Sequence, residues 1–315
     1  MLIVPWARHG TSMITIHPLT TATQSGGSWV DLCQPSAQDL EKAADTVGFQ
    51  IPDRARISEI EFTSRVRSVG DVLFLNLPRF QEGDTSVAPL GFALSPTALV
   101  TQREHPLASL ETIAHDIDHH PCLDSVDLFL RIVEHIVDRL ADRLESLEAE
   151  VTDTTRESFD DSQRFRDRED ALRRVGSIGR RLGSIHNTVL GLQRIVTYLD
   201  EATPAWFGEG APQRLKLIHK DLLSLSEFEQ QLGDRVEFLL DSVLGLITTD
   251  QNEVMKVMAV ASVVGVPPTV LVGIWGMNFA YMPELHWHPG YFVALGAIAL
   301  SIALPLAWFR RRRWI

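Results

Sequence analysis

Two long uncharged stretches near the C-terminal end constrain this chain more than any other feature. Val257 to Trp275 follows Lys256 without a charged residue, and Gly290 to Phe309 does the same ahead of Arg310, Arg311, Arg312 and Arg313. At about 1.5 Å per residue, each stretch matches the thickness of a bilayer's hydrocarbon core, so both read as transmembrane helices. A buried soluble helix can imitate one such run, but two with this flanking charge make membrane insertion the safer reading. Basic residues stay on the cytoplasmic side, which places both ends of the hairpin on the cytoplasmic side of the cell (inner) membrane. The segment 276–289 between the spans is then a short external loop holding Asn278, Glu284, His286 and His288. Hydropathy alone leaves open whether the hairpin conducts something or only anchors a soluble body.

The rest of the chain is acidic and water-soluble in character. The whole chain of 315 residues carries a formal net charge of -12, which opposes nucleic acid as a partner and suits cations, although acidity also serves solubility alone. Cys33 and Cys122 lie far apart with no paired-cysteine spacing, so neither a disulfide framework nor a structural zinc site is signalled. Met1 to Trp6 is too short an apolar run for a secretory signal, and the body is expected to stay in the cytosol. No phosphate-binding Gly-x-x-x-x-Gly-Lys-Ser/Thr run occurs, which leaves ATP-driven pumping unsupported, and no nucleophile, base and orienter grouping suggests an enzyme.

Short apolar runs such as Trp29 to Leu32, Val72 to Leu75 and Ala98 to Thr101 alternate with polar turns and read as strands. Ser36-Ala37-Gln38-Asp39 resembles a capping box opening a helix from Leu40 to Val47. From Ser125 to Leu199 the period becomes helical, with Leu128, Ile132, Ile136, Leu140, Leu144 and Leu147 on one face. Pro204 to Pro212 breaks this helical hairpin, and a third helix then meets no breaker before the first span. Stalk and span read as one rod of roughly 95 Å, either a carrier of motion or a rigid spacer. The expected architecture is an α+β membrane protein: an α/β cytosolic domain over 1–125, long cytosolic helices with the stalk over 126–251, and a transmembrane hairpin over 252–315. Within the hairpin the first span covers about 255–275 and the second about 290–309.

One face of the first span is small or weakly polar. Asn252, Met255, Ala259, Ser262, Val266, Thr269, Gly273 and Gly276 alternate at three- and four-residue spacing, a repeat that packs helices round a common axis. A packing face without a pore satisfies the same stripe. Pro267 and Pro268 lie mid-span, where they remove two amide donors, bend or loosen the helix, and free carbonyls that need a protein or water partner.

Gly276-Met277-Asn278, then Phe279 and Met282-Pro283-Glu284-Leu285, resemble the Gly-Met-Asn and Met-Pro-Glu-Leu signature of the CorA magnesium transporters. The arginine-rich tail before Trp314-Ile315 is similar to the family's basic tail. Gln251-Asn252, Ser262-Val263-Val264 and Pro267-Pro268-Thr269 look most like its proteobacterial branch. The likeness is strongest over about 235–315 and fades toward the N-terminus, where Glu59-Ile60-Glu61 is only loosely similar.

The resemblance implies a funnel-shaped homopentamer whose first spans line a central pore inside an outer ring of second spans. It places Asn278 in an outer ion-binding ring with Gly276 and Met277, and puts the stripe from Asn252 to Gly273 along the conduit, although Asn278 could merely cap the helix. Amide oxygens can bind hydrated Mg2+ without stripping its water. Glu284 forms an acidic ring at the mouth or supports the loop. His286 and His288 offer a softer metal site or a solvated turn, and the same choice applies to His115, Asp116, Asp118, His119 and His120. Arg310 to Arg313 form a basic collar. Mg2+ is the implied cargo and also a regulator, with Asp221, Glu227, Glu229 and Asp241 on the stalk as sensor candidates. The stalk's Leu217-Ile218-His219-Lys220-Asp221 departs from the acid-rich pattern of some relatives, which puts the sensor's position in doubt. The leading expectation is potential-driven uptake of magnesium, with cobalt and nickel as further ions and no organic cofactor. A zinc transporter of the related ZntB type and a non-conducting helical scaffold are the alternatives.

Overall fold

The computed structural model describes residues 13–19, 27–52, 66–80, 87–117, 124–159, 165–277, 282, 287–312 and 314. The chain forms two compact units: residues 1–159 with 173–239, and residues 160–172 with 240–315.

The first unit is built on a six-stranded sheet in the order β1-β2-β6-β5-β4-β3. Its strands are β1 (Met13–Leu19), β2 (Gly27–Cys33), β3 (Val66–Val69), β4 (Val72–Phe80), β5 (Val87–Leu94) and β6 (Ala98–Arg103). Only β2 and β6 pair in parallel; the other neighbours are antiparallel. Residues alternate between the two faces of a strand, and here both faces of β2 and β6 are covered. Val30, Leu32, Ala93 and Val100 on one face pack with Ala43 of helix α1 (Ala37–Val47). The capping box opens α1 as its spacing predicts: Asp39 N–H donates to Ser36 Oγ at 3.3 Å, and Ser36 N–H donates to Asp39 Oδ2 at 2.9 Å.

The opposite face meets α2 (Ala108–Asp116) and the start of α3 (Ser125–Ser158), where Phe92 and Phe129 pack edge to face with ring centroids 5.4 Å apart. This face carries charge in its interior. The Asp31 carboxylate accepts from Thr101 Oγ1 at 2.6 Å and from Arg103 Nε and Nη2 at 3.1 and 2.8 Å. Trp29 Nε1 donates to Thr101 Oγ1 at 3.0 Å, and Arg103 Nη1 donates to the His105 carbonyl at 3.2 Å. Burial works against the Arg103 charge, but Asp31 more than restores it, leaving the guanidinium pKa raised. Register explains the meeting: Asp31 lies opposite Thr101 and Cys33 opposite Arg103.

Three long helices follow the sheet: α3, α4 (Phe165–Glu201) and α5 (Ala211–Trp275). Leu128, Ile132, Ile136, Leu140, Leu144 and Leu147 of α3 are all buried, as their spacing predicts. In α4 the buried series runs Val175, Ile178, Leu182, Ile185, Val189 and Leu192; in α5 it runs Leu215, Ile218, Leu222, Leu232, Val236 and Leu239. Ion pairs edge these seams. Arg214 of α5 bonds Glu134 through Nε and Nη2 and Asp127 through Nη1, Arg235 reaches Glu148, and Arg181 and Arg174 of α4 reach Glu150 and Glu157. Hydrogen bonding to Glu134 is the main reason the Arg214 pKa is raised, against the opposing effect of burial.

In the second unit α5 continues as helix through Pro267 and Pro268, and α6 (Gly290–Arg311) follows. Arg168 at the start of α4 pairs with Asp250 and donates to the Leu246 carbonyl. Both α5 and α6 contain stretches long and apolar enough to cross a membrane.

Candidate functional site

Helix α5 presents two opposed faces in the second unit. Val260, Val264, Pro268, Leu271 and Trp275 are half-buried, at the same spacing as the half-buried Ala294, Ile298, Ser301 and Pro305 of α6. The matching spacing suits these two surfaces to face each other. Asn252, Met255, Ala259, Ser262, Val266, Thr269, Gly273 and Gly276 are exposed along their whole series. At about 100° per residue the two stripes lie roughly 170° apart. The small, weakly polar stripe therefore lies opposite the half-buried series and is exposed.

The chemistry of that face is an acceptor's. Ser262 Oγ donates to the Met258 carbonyl at 2.9 Å and Thr269 Oγ1 to the Gly265 carbonyl at 2.8 Å. Each hydroxyl proton is spent inside the helix, leaving oxygen lone pairs outward, where they can accept from the water shell of a cation. Asn252 adds an amide, and Val266 and Gly273 between them offer no competing ligand. No group of three or more metal-ligating His, Cys, Asp or Glu side chains occurs among the described residues.

At the end of α5, Gly276 N–H donates to the Val272 carbonyl at 2.9 Å, and Met277 N–H to the Ile274 carbonyl at 3.3 Å. A Cβ on Gly276 would stand 3.1 Å from the Val272 oxygen, so the helix terminates there on the one residue that fits without a shift. Met277 is exposed. Asn278, Glu284, His286 and Arg313 lie outside the described residues, as do Asp118, His119, His120 and Cys122. His288 is exposed, and His115 and Asp116 sit exposed at the end of α2.

The stalk acids separate into two groups. The Glu229 carboxylate is largely covered and lies 2.8 Å from His186 Nδ1, so it ties α5 to α4. Asp221, Glu227 and Asp241 are exposed. Asp234, which the reading of the sequence passed over, is exposed too and completes a series at seven-residue steps, Glu227, Asp234 and Asp241. The same register runs on to Thr248, Met255, Ser262, Thr269 and Gly276. That shared register was the available signal.

Comparison with known proteins agrees with these features. Magnesium transport protein CorA of Pectobacterium atrosepticum is 27% identical over 297 residues, spanning 91% of this chain and 92% of that protein. The CorA proteins of Escherichia coli K12 and Pasteurella multocida are each 26% identical, the latter over the full length of both chains. Among solved structures, the complete CorA magnesium transporter from Methanocaldococcus jannaschii superposes with a TM-score of 0.73 at 18% identity, covering 92% of each chain. The full-length CmaX protein gives 0.71 at 15%, covering 98% of this chain and 100% of its own. The cytoplasmic domain of ZntB from Vibrio parahaemolyticus gives 0.58 at 14%, covering 78% of this chain and 99% of its own. Residues 24–311 match the family described as CorA-like Mg2+ transporter protein, and the chain belongs to that family.

Proposed function

We propose that this chain carries Mg2+ across the cell (inner) membrane through a pore lined by the exposed stripe of α5, in a ring of five identical copies. The observation that carries the reading is the opposition of the two faces. In lipid, a stripe of small and hydroxyl residues has no reason to face acyl chains, whereas copies of the same helix can approach closely along it and leave a polar axis. A doubly charged ion gains about 4.6 kcal/mol on entering down an inside-negative potential of about 100 mV, so no nucleotide is needed. Residues 1–251 then lie in the cytosol, the hairpin 252–315 spans the bilayer, and both termini are cytoplasmic.

Asn278 of each copy, held at the axis by the turn at Gly276 and Met277, binds the hydrated ion through its amide oxygen, while Glu284 raises the local cation concentration. Cobalt and nickel, with similar hydration geometry, are further cargo. Cytosolic Mg2+ closes the pore by bridging acids of neighbouring copies. The exposed Glu227 and Asp241 suit that role, with Asp234 between them and Asp221 nearer the start of the helix; Glu229 is committed to His186.

The test is ion uptake into liposomes carrying the purified chain under an inside-negative potential. Mg2+ flux that collapses in Asn278→Ala supports the reading. Zinc flux without magnesium flux would assign the chain to zinc, and no flux of either ion would leave a scaffold.

A further inference from the structure

The last turn of α6 carries charge that no acid among the described residues of the second unit answers. Arg310 and Arg311 close the helix and Arg312 stands at its C-cap. Among the described residues, the ion pair of this unit joins Arg168 to Asp250 and involves none of these three. The Arg312 guanidinium lies over the Trp308 ring instead, 5.4 Å from its centroid. Trp308, Phe309 and Trp314 form an aromatic cluster, with successive ring centroids 5.1 and 5.5 Å apart.

Beside that cluster lies a groove of about 610 Å³, lined by Val263 of α5 and by Leu304, Pro305, Ala307, Trp308 and Arg311 of α6. The order along the helix matters. Leu304 and Pro305 offer apolar surface, Trp308 follows one turn later, and Arg311 one turn after that, all within about 10 Å of helix rise. Hydrocarbon, interfacial aromatic and cation in that sequence reproduce the depth profile of one bilayer leaflet, from acyl chain through glycerol to phosphate. A soluble phosphate would use the guanidinium but have no use for the apolar floor, and an uncharged lipid would use the floor but leave the cation unanswered.

We propose that this groove is a binding site for one anionic phospholipid of the cytoplasmic leaflet. Its acyl chain lies along Val263, Leu304 and Pro305, and its phosphate sits on Arg311, with Arg310 and Arg312 adding to the local field. This rests on the reading of α5 and α6 as membrane spans. A basic residue at an anionic membrane surface contributes enough for about a fivefold preference, so loss of Arg311 should remove a preference of that size.

The test uses the full chain in phosphatidylcholine vesicles doped with brominated phosphatidylglycerol or brominated phosphatidylcholine. Tryptophan quenching is read as the difference between the wild type and Trp308→Phe, which isolates the residue in the groove. The expected result is preferential quenching by the anionic lipid that falls about fivefold in Arg311→Gln and is retained in Arg311→Lys. Quenching by brominated phosphatidylcholine should be unchanged in both variants, showing that they still insert. Equal quenching by the two lipids in the wild type, or a preference that Arg311→Gln leaves undiminished, would overturn the site. So would loss of the preference in excess inorganic phosphate but not in chloride of equal ionic strength, since the group bound would then be phosphate alone. Quenching by neither lipid would instead overturn the membrane placement of α6 beneath the proposal.

Discussion

Replacing Asp31 with alanine should be among the most damaging single changes in the sheet. The Asp31 and Arg103 side chains are 7% and 4% exposed, so the substitution leaves a guanidinium in the interior whose remaining counter-charge is the exposed Glu111 carboxylate, 3.9 Å away. It also strips the Thr101 hydroxyl of the acceptor that it reaches at 2.6 Å. Breaking a buried pair from one side costs about 3–5 kcal/mol, which for a unit of this size lowers the melting midpoint by roughly 6–20 °C. Removing both charges together, as Asp31→Leu with Arg103→Met, avoids the stranded cation and should recover at least about 2 kcal/mol. Thermal unfolding followed by the fluorescence of Trp29, which is fully buried and bonded into the same network, reads the change where it occurs. A shift below about 3 °C for Asp31→Ala, or a double variant no more stable than the single, would refute the reasoning.

Arg214→Met should cost only about 1 kcal/mol in thermal unfolding, because Glu134 and the guanidinium are partly in water. The pKa of Arg214 is raised on folding, so its contribution is complete below the unfolded arginine range and is lost only above it. The difference from wild type should therefore be the same at about pH 7 and pH 10. Gly276→Ala should depress Mg2+ flux several-fold while moving the melting midpoint little, since the added Cβ meets a backbone oxygen at the pore end of α5 rather than the core. Ser36→Ala should cost about 1 kcal/mol through loss of the α1 cap, read by the same unfolding assay.

Most of the helical framework was legible because its signals are local. The apolar period of α3, the box at Ser36 and the unbroken run into the first span each need only a few neighbouring residues to be read. The interior charges were not. Asp31 stands between Val30 and Leu32 as a polar residue in an alternating strand would, which ordinarily puts it toward solvent. Its burial follows from the helices packed over that face, and the parallel pairing of β2 with β6 brings its partner Arg103 to it across many intervening residues. On the stalk, acidity alone did not separate Glu229 from its neighbours, because its bond to His186 depends on how α4 returns alongside α5. The stripe of α5 was visible, whereas the half-buried series opposite it became evident only in the structure.

The central claim is that this uncovered face of α5 lines the conduit. It is tested most directly by thiol block of Mg2+ flux in a chain with Cys33 and Cys122 replaced by serine. Ser262→Cys and Thr269→Cys should lose flux when a charged, membrane-impermeant thiol reagent is added, and Val264→Cys, on the face toward α6, should be unaffected. Block at Val264→Cys with none at Ser262→Cys or Thr269→Cys would contradict the assignment of the pore face.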